Sequence, residues 1–389
     1  MEQQWRRIAW LYALGVLAAA QLGKMSALAP LIRIELAMGL TVAGLLISLL
    51  EIGGATLGYV AGLFVDRLGV RRVLLAGIAL IAGSGLCQSV AGSVPLLVAF
   101  RASEGAGYLS VVVAAPLLIF RTAPPGKQGV ALALWGSFVP VGFALGAMSS
   151  GWIADLLSWR AAALAWAGVA LIMLAASTRM EFAPSPAASQ RQLVLPPWRI
   201  WALTLAFGCY AGFAVGTIAL LPSFLVQQVG ATPRLAGTIG GLAAFISVLG
   251  VALAAWLRHH SNESRIWTAV AIVVPAILLF GVFSDNAGLL QATALVMLLN
   301  ALSGIYAGLA FALLPSLAAS DNEMAVANGL TLQFGAAGSL IGPPLFAASA
   351  ERWGWSGAAM AGALASGLCL LLMQGARVRT GAAHSHALP

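Results

Sequence analysis

Long uninterrupted runs of apolar residues divide this chain, and they constrain its fold more than any other feature. Runs of about twenty residues recur and are separated by short clusters of proline, glycine, arginine and aspartate. An apolar helix of that length matches the roughly 30 Å hydrocarbon layer of a bilayer, since a helix rises about 1.5 Å per residue. Only 8% of the residues are charged, whereas a soluble domain carries about 25%. The pattern therefore predicts a polytopic helical membrane protein.

Twelve apolar blocks are present, and each is long enough to cross a bilayer once. Lipid-exposed backbone must satisfy its own hydrogen bonds, which favours helices, and a transmembrane barrel would instead alternate over about ten positions. The predicted spans are Ile8–Leu36, Thr41–Val65, Val73–Ala91, Val94–Phe120, Gly129–Leu156, Arg160–Ser177, Arg199–Gln227, Pro233–Leu257, Ile266–Phe283, Gly288–Leu314, Met324–Ala350 and Trp355–Gln374.

The basic residues outside the spans predict the orientation, because cytoplasmic loops are enriched in Lys and Arg. The side that holds the termini receives Arg6, Arg7, Arg67, Arg71, Arg72, Arg121, Lys127, Arg179, Arg191, Arg199, Arg258, Arg265, Arg377 and Arg379. The other side receives Arg33, Arg160, Arg234 and Arg352. We therefore predict a bacterial inner-membrane protein with both termini in the cytoplasm. The formal net charge of +8 gives no indication of nucleic-acid binding, because these residues are scattered along one membrane face.

A proline-rich segment predicts the division of the chain. Thr178–Trp198 contains four prolines, a density that prevents a continuous helix. It separates six spans from six spans. We predict an N-terminal six-helix half (1–178), a cytoplasmic linker (179–198), a C-terminal six-helix half (199–375) and a cytoplasmic tail (376–389).

The sequence predicts no metal site, cofactor or disulfide. Cys87, Cys209 and Cys369 fall in apolar blocks and are interpreted as small buried hydrophobic residues. Neither the His259–His260 pair nor the two histidines of the tail have a third ligand at metal-binding spacing.

The loop after the second span carries a specific motif, Gly-Leu-Phe-Val-Asp-Arg-Leu-Gly-Val-Arg-Arg. Glycines at its two defined positions allow close helix approach and a tight turn, and an aspartate at a helix end can accept hydrogen bonds from arginines. The motif resembles the signature loop of the major facilitator superfamily, G-x-x-x-D-R-x-G-x-R-R between spans two and three. The resemblance assigns a gating role to Gly62, Asp66, Arg67, Gly69, Arg71 and Arg72.

Further segments extend this resemblance along the chain. Arg101–Gly107 is similar to the family's R-x-x-x-G-x-G motif in span four. The Gly- and Pro-rich fifth span resembles a motif of antiporters, with Val139-Pro140 where Gly-Pro is expected. A similar pattern recurs in span eleven at Gly335, Gly338, Gly342, Pro343 and Pro344. The resemblance implies an all-α fold of two six-helix halves related by a pseudo-twofold axis.

Four ionisable residues lie within the spans: Lys24, Glu51, Arg101 and Glu104. Charges inside a bilayer usually face the bundle interior and pair. We expect Lys24 to pair with Glu51, because consecutive spans are usually neighbours, and Arg101 to meet Glu104 three residues along the same helix. The resemblance implies that spans one, four, seven and ten line a central cavity. Glu104 is thereby the favoured proton-coupling residue, and two structural ion pairs are the alternative.

The second half offers neutral polar groups instead of buried charges. The candidate substrate residues there are Tyr210, Asn300, Ser303 and Tyr306, of which Asn300 and Ser303 share one face of span ten. A helix–helix hydrogen bond is the alternative role for each, worth about 0.6 kcal/mol.

The sequence therefore predicts a secondary active transporter of a small organic solute that works by alternating access and is coupled to protons. A drug or metabolite efflux antiporter of the same fold is the alternative. There is no phosphate-binding Gly-x-x-x-x-Gly-Lys-Ser/Thr loop and no catalytic constellation, so neither ATP-driven transport nor an enzyme is expected. Two buried cations favour an anionic substrate, although two buried carboxylates balance their charge. The expected partners are this substrate, protons and membrane lipid, and the protein is expected to be monomeric.

Overall fold

The computed structural model describes residues 1–61, 65, 68–180, 195–260 and 264–376. Within these residues twelve helices are long and apolar enough to cross a membrane. They are α1 (Glu2–Glu35), α2 (Leu40–Leu57), α3 (Val70–Ser89), α4 (Val94–Thr122), α5 (Gln128–Leu156), α6 (Trp159–Thr178), α7 (Trp198–Gln227), α8 (Pro233–His260), α9 (Ser264–Val282), α10 (Leu289–Leu317), α11 (Asp321–Trp353) and α12 (Trp355–Gly375).

The twelve predicted spans are confirmed, and most of their ends agree to within a few residues. The first two spans differ most from the prediction. Helix α2 ends at Leu57, eight residues before the predicted end at Val65, and α1 begins at Glu2, six residues before the apolar run. Glutamate, glutamine and arginine are good helix formers, so the helix continues past the apolar run into polar sequence. The proposed linker falls mostly outside the described residues, and the division of the chain at 179–198 stays a prediction.

Glycines with positive φ lie in tight turns at helix boundaries. Gly354 alone separates α11 from α12, with a φ of 71°. Gly69 stands directly before α3, with a φ of 89°. Both angles lie in the left-handed region, where a side chain would clash with the backbone. The predicted role of Gly69 in a tight turn is confirmed.

The two halves repeat one close helix contact. In the first half α5 packs on α1, and a Cβ added at Gly146 would lie 2.1 Å from the carbonyl oxygen of Ala20. In the second half α11 packs on α7, and a Cβ at Gly338 would lie 1.9 Å from the carbonyl oxygen of Gly208. The similar glycine patterns of spans five and eleven thus have the same physical cause, since only glycine allows backbones to approach this closely.

Several contacts between the halves lie at the end of the bundle opposite the chain termini, here called the distal end. The hydroxyl of Ser26 in α1 donates a hydrogen bond of 2.8 Å to the carbonyl oxygen of Ala219 in α7. The guanidinium of Arg234 in α8 stacks 3.5 Å from the ring centre of Trp152 in α5. These contacts close the distal end between the halves.

A third distal contact caps a helix of one half with a side chain of the other. The carboxylate of Glu351, near the end of α11, accepts hydrogen bonds from the backbone N–H groups of Leu40 and Thr41 and from the Thr41 hydroxyl. The N-cap residue of α2 is Gly39, which has no side chain with which to cap its own helix. The first turn of α2 therefore obtains its cap from the second half.

Candidate functional site

Three of the four predicted buried charges meet in one cluster inside the first half. Glu104 of α4 accepts a hydrogen bond of 2.9 Å from the Nζ of Lys24 on α1 and one of 2.6 Å from the Nη1 of Arg101. All three side chains are fully buried. The prediction that Arg101 and Glu104 meet is confirmed. In this conformation none of the three reaches solvent, so their assignment to an open cavity stays a prediction.

A glutamine that the sequence reasoning missed completes this cluster. The Nε2 of Gln88 on α3 donates a 2.8 Å hydrogen bond to Glu104, and its Oε1 accepts one of 3.4 Å from Lys24. Gln88 is the only side-chain amide within α3, and this was the signal that could have identified it. With both carboxylate oxygens of Glu104 engaged, the cluster satisfies its charges without water.

Arg101 also contacts the neighbouring helix α2 next to an irregular turn. Its Nε and Nη2 donate to the carbonyl oxygens of Leu46 and Ile47, at 2.8 and 3.1 Å. In a regular helix these oxygens would accept from residues four positions later. Directly after them, α2 becomes a 3₁₀ turn over Leu49–Glu51. The arginine thus ties the ion cluster to an irregular point in α2.

Glycines of the span-four motif bring the helices close enough for these contacts. A Cβ at Gly105 would lie 2.9 Å from the carbonyl oxygens of Leu49 and Leu50 in α2, and one at Gly107 would lie 2.7 Å from that of Gly77 in α3. The Arg101–Gly107 motif therefore combines a charge with two close helix contacts.

The predicted pair between Lys24 and Glu51 is wrong. Lys24 is directed at α3 and α4, where Glu104 and Gln88 bind it. Glu51 lies in the 3₁₀ turn of α2, with its carboxylate within hydrogen-bonding reach of the Tyr108 hydroxyl and in the field of Arg101. Neighbouring helices can point their charges in different directions, because the rotation of each helix about its axis depends on all the helices that it packs against.

Glu51 differs from Glu104 in its surroundings. Among the described residues it has no ion pair within 4 Å, and it retains 8% exposure. The adjacent Gly54 packs against Ala336 of α11, so this turn of α2 borders the second half. Tyr108 was not predicted as a site residue, although it lies one turn after Glu104 on α4, and that spacing was the available signal.

The predicted polar residues of the second half come together in part. The Tyr210 hydroxyl lies near the Ser303 hydroxyl, and its ring centre lies 4.8 Å from that of Tyr306. Asn300 is not part of this contact, because its side-chain nitrogen donates to the carbonyl oxygen of Val296 in its own helix. The hydroxyl of Tyr306 is buried beside the Cys369 thiol and has no hydrogen-bond partner of good geometry among the described residues.

The signature loop is described in part. Arg71 donates a 2.8 Å hydrogen bond to the carbonyl oxygen of Thr178 at the end of α6, and Arg72 is exposed. The gating residues Gly62, Asp66 and Arg67 lie outside the described residues. The gating role of the loop stays a prediction.

The twelve helices, in two halves that repeat their packing, define a multi-pass membrane protein with a polar site buried in one half. The family model of the Major Facilitator Superfamily matches residues 11–343. The chain belongs to this family, whose members here are transporters of small molecules.

Two relatives match most of the chain. The 3-(3-hydroxy-phenyl)propionate transporter of Escherichia coli K12 is 26% identical over 342 residues, 82% of this chain and 81% of that protein. The hexuronate transporter of Bacillus subtilis 168 is 24% identical over 388 residues, 92% of this chain and 91% of that protein. A shorter match of 33% identity to the multidrug export protein EmrB of Haemophilus influenzae covers 26% of this chain and spans a fifth (20%) of that protein.

A solved structure shares the fold over nearly the whole chain. It is a bacterial homolog of the human lysosomal transporter Spinster, in an inward-facing and occupied conformation. The TM-score is 0.77 at 15% identity, and the match covers 95% of this chain and 91% of the other. This likeness establishes the all-α fold of two six-helix halves.

Proposed function

We propose that this protein takes up a small organic anion together with a proton, by alternating access across a bacterial inner membrane with both termini in the cytoplasm. The observation that carries the proposal is the charge balance around Arg101. Lys24 and Arg101 contribute two positive charges, and Glu104 and Glu51 contribute two negative charges.

The two carboxylates have different roles in this proposal. The carboxylate of Glu104 accepts hydrogen bonds from two cationic side chains and from an amide, so in this proposal it stays ionised throughout the transport cycle. Glu51 has a phenol and a more distant cation as neighbours, and it borders the second half. Glu51 therefore carries the proton, in place of Glu104, which the sequence favoured.

Protonation of Glu51 changes the net charge of this region from zero to +1. A charge inside a bilayer costs about 2.5–3.5 kcal/mol on insertion scales. An anionic substrate bound close to this region lowers that cost, and the proton in turn makes the anion's binding less unfavourable. Binding of each thus favours binding of the other, which is the linkage that a symporter requires.

The full-length relatives support an anionic substrate. Both are named for organic acids, a phenylpropionate and a hexuronate. The short match to EmrB, together with the Gly- and Pro-rich α5, supports the alternative of an exporter that exchanges its substrate for protons.

Transport into proteoliposomes tests the proposal. An inward proton gradient is expected to drive accumulation of labelled phenylpropionate or glucuronate, and each acid is expected to bring protons into the lumen. If a lipophilic cation exchanges for protons while neither acid moves, the exporter alternative replaces the symporter.

The variant Glu51→Gln tests the proton site. A permanently neutral side chain should abolish accumulation driven by the proton gradient and retain exchange of internal for external substrate, because exchange needs no net proton movement. Glu2→Gln, an exposed carboxylate at the start of α1, is the matched control and should behave as wild type. Gradient-driven uptake by Glu51→Gln at the wild-type level would remove Glu51 from the mechanism.

A further inference from the structure

An aromatic surface occupies α7 and α10 of the second half. The ring of Phe207 contacts Phe311 edge to face with centroids 5.1 Å apart, and it lies 5.7 Å from the ring of Tyr210. Behind them Tyr306 packs 4.8 Å from Tyr210 and is fully buried. We call Phe207, Tyr210 and Phe311 the aromatic platform.

The α7 side of the platform faces the first half. Phe207, Tyr210, Ala214 and Ile218 follow helical spacing along one face of α7, and all four are half-buried. At the distal end of this face the carbonyl oxygen of Ile218 accepts a 3.2 Å hydrogen bond from Ser26 of the first half. Nearer the chain termini the same face carries the two rings, so they are directed toward the first half.

The α10 side of the platform is open in the same direction. Phe311 is 51% exposed, and Leu298 on the same helix is 49% exposed. Thirteen positions at about 100° per residue place these side chains roughly 140° apart around α10. Phe311 contacts Phe207 of α7, so its exposed surface lies beside the α7 rings and on a different side of α10 from Leu298.

The platform also carries polar groups that can recognise a substituent. The hydroxyls of Tyr210 and Ser303 lie near each other beside the rings. Ligand sites are typically lined by apolar and aromatic side chains with a few polar groups that fix orientation. Aromatic rings on the side of α7 that faces the first half, with two hydroxyls near them, have this composition.

We propose that the aromatic platform binds an aromatic ring of the transported solute, which makes the substrate an aromatic organic acid. This inference rests on the proposed uptake of an organic anion and names its chemical class. Rings favour offset-stacked or edge-to-face contacts that a saturated ring of the same size cannot make. The platform supplies such contacts from both helices, while the acid group contributes the negative charge.

Binding to the purified full-length protein tests this inference separately from proton coupling. Isothermal titration calorimetry with 3-phenylpropionate and with 3-cyclohexylpropionate compares two acids that have the same chain and carboxylate. The ring of the first is aromatic and the ring of the second is saturated. The aromatic acid is expected to bind about 3- to 10-fold more tightly, the range that corresponds to one or two aromatic contacts. Phe311→Leu and Phe207→Leu are expected to remove this preference and to leave binding of the saturated acid within about twofold of wild type.

Phe280→Leu is the matched control, because Phe280 is 44% exposed and lies on α9, outside the platform. It should keep the preference. Equal binding of the two acids to wild type, binding of neither, or a preference that survives Phe311→Leu would each overturn the inference. Intact aromatic preference without proton-driven uptake would sustain the platform and refute the proposed symport.

Discussion

Glu104 is the residue on which the buried cluster depends, since Lys24 and Arg101 both donate to it. Removing one partner of a buried ion pair leaves an uncompensated charge in a medium that cannot solvate it. Here the loss of one carboxylate would leave two cations without their shared acceptor. This places Glu104 among the structural residues of the first half.

The variant Glu104→Gln should therefore fold poorly, with a free energy of unfolding lower by about 3–5 kcal/mol. A surface ion pair of the same protein provides the comparison. Glu35 pairs with Arg160 where both side chains are partly exposed, so Glu35→Gln should cost at most about 1 kcal/mol. Thermal unfolding in detergent measures both. If Glu104→Gln is as stable as wild type and loses gradient-driven uptake, the roles of the two carboxylates are reversed.

At the scale of the helices, glycine positions decide how closely the elements approach. Gly107 of α4 meets the backbone of α3 at Gly77, where an added Cβ would lie 2.7 Å from a carbonyl oxygen. Gly83 lies on α3, and a Cβ added there would have no atom within 4 Å. The two positions have the same residue type but opposite surroundings.

We expect Gly107→Ala to lower the free energy of unfolding by about 1–3 kcal/mol, because a backbone contact cannot yield without moving a helix. Gly83→Ala should be neutral or stabilising by up to about 1 kcal/mol, because alanine is the better helix former. Unfolding of both variants under the same detergent conditions compares them. Equal stability of the two would show that α3 and α4 can separate freely.

For the whole molecule, contacts between the halves at the distal end favour closure of that end. Glu351 of α11 and the first turn of α2 form such a contact, and a Cβ at Gly39 would lie 2.7 Å from a Glu351 carboxylate oxygen. Opening the distal end removes the cap of α2. The contact therefore favours the conformation in which this end is closed.

Both Glu351→Ala and Gly39→Ala should shift the molecule toward distal opening. Loss of a helix cap costs about 1 kcal/mol, which corresponds to roughly a fivefold change in the population ratio. Val90 and Asn286 are exposed distal positions, one in each half. Double electron–electron resonance between spin labels at these two positions measures the distance between the halves.

Glu323→Ala is the control for this experiment. Glu323 lies on the same helix, α11, and accepts from the backbone of Ala319 within the second half. The substitution Glu323→Ala removes a capping contact that lies within one half, so the distribution of distances between the two spin labels should not change. Unchanged distances in Glu351→Ala would show that the cap has no influence on the distal end.

Orientation in the membrane is a second property of the whole molecule. The distribution of Lys and Arg predicts that Asn286 is external and that Ser385, outside the described residues, is cytoplasmic. An impermeant maleimide should label Asn286→Cys in intact cells and Ser385→Cys only after the cells are opened. Labelling of Ser385→Cys in intact cells would invert the topology.

Features controlled by local interactions are predictable from the sequence of this protein. The twelve spans follow from runs of apolar residues against a layer of known thickness. Arg101 and Glu104 meet because three residues on a helix bring side chains to one face. The turn at Gly69 follows from the one residue type that tolerates its backbone angle. Each of these features depends on neighbours in the chain or on the bilayer.

Only the tertiary structure decided the contacts between helices. Whether Lys24 meets Glu51 or Glu104 depends on the rotation of α1 against three other helices, and its actual partners include Gln88, 64 residues away. Beside the irregular turn of α2, carbonyl oxygens accept hydrogen bonds from an arginine on α4, and the first turn of α2 is capped by a side chain of α11. These contacts are set by the simultaneous packing of many side chains, and no short stretch of sequence contains that information.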